Sequence, residues 1–121
     1  MDIDFDNLHF TDCNILKWNL TSQNELILYI SNLGLLRTDG RADFYKLSRL
    51  TFYEVHMCKV LANKYQSNGL DLDSSRPYVI EVVKGDCDSA LAYFVEGVDN
   101  RLNAWTEWDI CSVSFALDFP E

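Results

Sequence analysis

The sequence predicts a mainly β protein, an antiparallel sandwich or partly open barrel of about six strands, held in a single domain over residues 1–121. Three observations lead there. Apolar and polar residues alternate with period two through several segments rich in β-branched and aromatic side chains, as half-buried strands require. Short polar turns separate those segments. A chain of 121 residues with 48% apolar content is long enough to bury about two thirds of the surface its unfolded form exposes, and fits one core rather than two.

From Asn14 to Leu20, Leu16, Trp18 and Leu20 fall on one face while Lys17 and Asn19 take the other. The Ser22-Gln23-Asn24 cluster reads as a turn, and Leu26, Leu28 and Ile30 then share a face over Glu25 to Asn32, so the two segments predict a hairpin. Asp39-Gly40 is a turn dipeptide, since both positions tolerate positive φ. A strand is expected near Leu47 to His56. Beyond Glu54 a short helix is the alternative, because Cys58, Leu61, Ala62 and Tyr65 lie on one helical stripe. Gln66-Ser67-Asn68-Gly69 and Asp71 to Pro77 have loop composition. Tyr78 to Lys84 and Ala90 to Val98 predict a second hairpin across Gly85 to Ser89. In the last element, Trp105 to Phe119, Cys111, Val113, Phe115, Leu117 and Phe119 face one way, and Ser112, Ser114, Ala116 and Asp118 the other.

Charge is uneven. Eleven of the nineteen acidic residues lie from Asp71 onward, opposed only by Arg76, Lys84 and Arg101, and the net charge is −9. Such a field repels nucleic acid and anionic membrane and steers basic surfaces inward. Six basic side chains occur between Arg37 and Lys64, where they serve to offset the acidic half, within the chain or across a homodimer. The expected partner is therefore a basic protein. The start lacks the basic and apolar regions of a secretory signal, and no apolar run approaches the roughly 20 residues that span a bilayer. The expectation is a cytoplasmic protein with Cys13, Cys58, Cys87 and Cys111 reduced, in which the Asn19-Leu20-Thr21 sequon has no chemical consequence.

No motif declares a reaction. His56 and Cys58 would share a strand face, yet two ligands make no zinc site. The carboxylate pairs Asp2/Asp4/Asp6, Asp71/Asp73 and Asp86/Asp88 do not continue into a calcium loop. No cofactor or metal is implied. Trp105, Glu107, Trp108 and Asp109 combine indoles with carboxylates, which suits a sugar ring. On a strand, however, Trp108 would lie opposite the other three, leaving no common platform.

The run His9-Phe10-Thr11-Asp12-Cys13-Asn14-Ile15-Leu16-Lys17-Trp18, the hairpin at Leu26 to Ile30 and the later Leu50-Thr51-Phe52-Tyr53-Glu54-Val55 resemble small β-rich bacterial proteins of toxin–immunity loci. The resemblance implies an acidic module without catalytic residues that binds a cognate toxin domain, often a basic nuclease, and blocks it. Anchors for such a partner are exposed aromatics ringed by acids. Glu96, Asp99, Trp105, Glu107, Trp108 and Asp109, with Asp86 and Asp88 on a nearby loop, are the candidates. The competing readings are an oligomeric scaffold that pairs edge strands, and a carbohydrate-binding or carbohydrate-acting domain.

Overall fold

The computed structural model describes residues 3–64, 78–88 and 90–120. Among them are a short 3₁₀ helix, Phe5–Asn7, and the strands β1 (Leu8–His9), β2 (Asn14–Leu20), β3 (Leu26–Ser31), β4 (Leu33–Leu36), β5 (Ala42–Tyr45), β6 (Ser48–Lys64), β7 (Tyr78–Val83), β8 (Leu91–Asp99) and β9 (Ala104–Asp118). The mainly β class holds. β1, β4 and β5 form a three-stranded sheet, and the other six strands form the order β3-β2-β8-β9-β6-β7, with β3 also paired to β6. That extra pairing closes β2, β3, β6, β9 and β8 into a five-stranded barrel.

An odd ring cannot alternate strand direction all the way round, so one neighbouring pair has to be parallel. Here the parallel pair is β2 with β8, joined only at Asn14↔Val98 and Ile15↔Asp99. The seam needs Gly97 to be bare, because a Cβ there would lie 2.8 Å from the Cys13 sulfur. Cys13 in turn donates its S–H to the Glu96 carbonyl at 3.1 Å.

The predicted hairpin of β2 with β3 is present, turning through Asn24 at φ 59°. A bulge after Ile15 shifts the inward phase of β2, so Ile15 is fully buried while Leu16, Trp18 and Leu20 are half-buried. Inside the barrel, Leu26, Leu28, Ile30, Leu50, Phe52, Val60, Val95, Trp108 and Ile110 form the core. Phe5 plugs one end, its ring centroid 4.8 to 6.1 Å from those of Tyr93, Phe115, Phe10 and Phe52.

One alternative is resolved and one expectation about pairing is corrected. Past Glu54 the chain is strand as far as Lys64. β6 runs unbroken to Lys64 and pairs with β9 along its whole length. Its alternation is disguised by Glu54 at φ 50° and by a bulge between Val55 and Met57, which together change the inward phase twice. Phe52, Val55 and Cys58 therefore all point inward, three residues apart, as on a helix. β9 answers this kink. Ser112 is buried and Val113 exposed, after which Phe115 and Leu117 pack on the core.

The correction concerns β7 and β8, which do not pair. β7 continues the edge of β6 that β3 leaves after Phe52, and β8 lies on the far side of β9. The connection from Lys84 to Ala90 crosses β6 and β9 instead of folding back as a turn. It is held at two points: Gly85 packs so close to the His56 carbonyl that a Cβ would sit 2.1 Å from that oxygen, and Cys87 is disulfide-bonded to Cys111. The expectation of four reduced cysteines is thus overturned for this pair; separation in sequence hid the crossing that joins them. Cys13 and Cys58 are free and buried. The predicted loop at 66–77, with Asp71 and Asp73, lies outside the described residues.

Candidate functional site: the acidic outer face

Residues directly opposite on neighbouring strands share a sheet face, so the register itself assembles the outer surface of β7-β6-β9-β8. One row across it reads Glu81, Lys59, Asp109, Phe94. The next reads Val79, Leu61, Glu107, Glu96, and the third ends Asn63, Trp105, Val98. Four of the predicted residues, Glu96, Trp105, Glu107 and Asp109, are therefore neighbours on one face. Asp86 and Asp88 flank Cys87, whose disulfide to Cys111 ties their exposed loop two residues beyond Asp109. The crossing connection thus carries the acidic surface from the sheet onto the loop.

Glu96 and Glu107 are directly opposed. Like charges in that position destabilise a sheet, and the one basic side chain in these rows, Lys59, sits beside Asp109 and Glu81 rather than between the two glutamates. Apolar groups surround them: Val79 is 61% exposed and Phe94 47%, with Leu61, Trp105 and Val98 half-buried alongside.

Two predicted contacts are withdrawn by burial. Trp108 is 1% exposed; its Nε1–H donates to the Thr106 hydroxyl at 3.0 Å, and that hydroxyl donates to the Gly97 carbonyl at 2.8 Å. Trp18 meets its ring edge-on at 5.6 Å. Trp105 and Trp108 thus lie on opposite faces of β9, as the alternation requires, and form no common sugar platform. Asp99 is 0% exposed. Its Oδ1 accepts from the Arg101 and Leu102 amides at 2.9 and 3.1 Å, forming the turn into β9; an Asp between two strands, ahead of Asn-Arg-Leu-Asn, carries that turn signature. His56 and Cys58 are also parted, since the bulge exposes His56 while Cys58 points inward.

Phe94, Val79 and Leu61 were missed. Phe94 was legible, lying two residues before Glu96 on an alternating strand. Leu61 and Val79 were not, because their placement depends on β6 being strand and on β7 adding to its edge. Beneath the face, burial pushes the thiols of Cys13 and Cys58 up to about 12, with the negative charges of Glu96 and Asp109 adding to the shift in turn.

Fold and face together define a small closed β-barrel with an acidic, aromatic-bearing outer surface. Compared with protein-family models, curated proteins and solved structures, the chain matches none of them.

Proposed function

We propose that the protein is an acidic protein-binding module that captures a basic protein partner on the outer face of β7-β6-β9-β8, in the manner of an immunity protein neutralising a cognate toxin domain. The observation that carries this reading is the opposed pair Glu96 and Glu107 next to Asp109, set among exposed Phe94 and Val79. Repulsion between the two carboxylates is relieved when one cationic side chain enters between them, so their arrangement favours a basic ligand. Apolar neighbours supply area that loses water on contact, and an aromatic anchor beside charge is the usual composition of an energetic centre. Net charge of −9 accelerates encounter with a basic surface at low salt.

The test is growth of cells expressing the C-terminal domain of the protein encoded immediately upstream, with and without this chain. Rescue, co-purification that weakens with salt, and loss of both in the Glu107→Lys/Asp109→Lys variant are expected. Toxicity without rescue, or rescue by the double variant equal to that by the unchanged chain, defeats the proposal.

A further inference from the structure

A second surface lies at the other end of the barrel wall, over the outer sides of β3, β6 and β9. Its register gives three rows. The outermost reads Lys17, Tyr29, Arg49, Asp118; the middle reads Asn19, Ile27, Thr51, Ala116; the last places Tyr53 beside Ser114, at the end of β3 where Glu25 stands. Thr51 and Ala116 in the middle row are shorter than Tyr29 and Arg49 on one side and Tyr53 on the other, and the step between them leaves a trough of about 290 Å³. Arg49 and Tyr53 mark its two walls, four residues apart along β6, about 13 Å at roughly 3.3 Å per residue.

The walls are chemically specific. Tyr53 is 39% exposed. Tyr29 is steadied by the Lys17 ammonium, 4.5 Å from its ring centroid. The Arg49 Nε–H donates to Asp118 Oδ1 at 2.9 Å, and a second bond joins Nη2 to Oδ2, so both planar groups are fixed side by side. Of the charged residues that line the trough, Glu25 and Asp118 exceed Arg49 by one, and Lys17, over the Tyr29 ring at its edge, offsets that excess. The site therefore favours neither an anion nor a cation, unlike the acidic face.

We propose that this trough binds a neutral saccharide, with Tyr53 as the stacking wall and the Arg49–Asp118 pair as the hydrogen-bonding wall. A carboxylate only accepts and a guanidinium only donates, whereas a sugar hydroxyl does both. Adjacent hydroxyls of one ring thus satisfy Arg49 and Asp118 together, which a peptide carbonyl or a simple amine does not. An aromatic ring covers the C–H face that every pyranose presents. The volume lies at the lower end of small-molecule sites and limits the occupant to one or two rings. This site is separate from the proposed partner face and does not depend on that reading.

The experiment is a two-dimensional amide NMR titration of the full chain with glucose, galactose, mannose and N-acetylglucosamine, and with maltose, cellobiose, lactose and chitobiose. Binding by at least one of them in the millimolar range is expected, with shifts centred on Ile27, Tyr29, Thr51, Tyr53 and Ala116. Tyr53→Ala, whose fold the same spectrum verifies, is expected to weaken that affinity at least tenfold, and Arg49→Gln/Asp118→Asn to do likewise while keeping Tyr53 in place. Trp105→Ala on the other face is expected to leave it unchanged. No shift with any of the eight sugars, shifts centred on Trp105, or undiminished binding by the Tyr53 variant would overturn the proposal.

Discussion

Glu107→Lys offers a direct test of the acidic face, because the register predicts that it stabilises the fold. Glu107 opposes Glu96 across β9 and β8, and opposes Leu61 on the other side. A cross-strand charge pair is worth roughly 0.2–1 kcal/mol in either direction, so turning repulsion into attraction at a half-buried position yields about 1 kcal/mol. An unfolding entropy of about 2.1 cal/mol/K per residue gives a chain of this length about 0.25 kcal/mol/K, and the midpoint should rise by about 4 °C. Glu107→Gln should give about half. Asp109→Lys should act oppositely, since Asp109 faces Lys59, and the double variant should return within about 2 °C of the parent. The assay is thermal unfolding at low salt and in 1 M NaCl, where a screening length of about 3 Å should remove most of each effect. A lower midpoint for Glu107→Lys, or a gain that persists undiminished in 1 M salt, would refute the reasoning that this pair is held against its own repulsion.

Three further outcomes follow from the packing. Closing residues 87 to 111 by a disulfide removes chain entropy worth about 3.5 kcal/mol in the loop-closure model, so reduction or Cys87→Ala/Cys111→Ala should lower the midpoint by about 14 °C; a count of four reactive thiols in unreduced, denatured protein would contradict the bond. Trp108→Ala should cost about 3–5 kcal/mol, as for other large buried aromatics, and a loss below 1 kcal/mol in denaturant titration would mean that the core is not centred there. Cys13 and Cys58, with their thiols raised from 9.0 to about 12, should resist alkylation at pH 8 in the native state. Because the folded chain holds these protons more tightly than the unfolded one, their contribution is intact below pH 9 and is lost as pH rises toward 12; stability that increases over that window would oppose the assignment.

Local pattern carried the sequence reading as far as local pattern determines structure. The β2–β3 hairpin and the β9 strand were legible because turn chemistry and alternation hold over most of their length, although the bulge after Ile15 and the phase change at Ser112 and Val113 were not. β6 was half-read because Cys58, Leu61 and Ala62 fit a helical stripe as well as a strand; on the strand Cys58 and Ala62 point inward and Leu61 outward, while the left-handed Glu54 and the bulge near His56 break the alternation that would have extended the strand. The pairing of β7 and β8 was misjudged for a different reason. A connection with Gly, Asp and Ser is compatible with a tight turn and equally with a crossing, and only the contact of Gly85 with His56 and the Cys87–Cys111 bond distinguish them. At the face, acids two apart along β9 were correctly placed together, since period two is all that requires. The direct opposition of Glu96 to Glu107 needed the register, and Trp108 and Asp99 needed the core and the turn.

The parallel seam between β2 and β8 also sets an order of assembly. Every other contact in the ring either joins segments close in the chain or runs along many ladder pairs, whereas the seam brings Asn14 to Val98 for two pairs and an Asn100 amide to the Ile15 carbonyl. Loop-closure entropy is met before such a short, distant contact returns anything, so the curved sheet forms first and the ring shuts last. Until it shuts, β8 offers an open edge and Cys13 is unshielded, and an open edge is a template for another chain. The last contact of the ring and its exposed edge therefore coincide at the place where Gly97 lets the sulfur of Cys13 settle against the backbone.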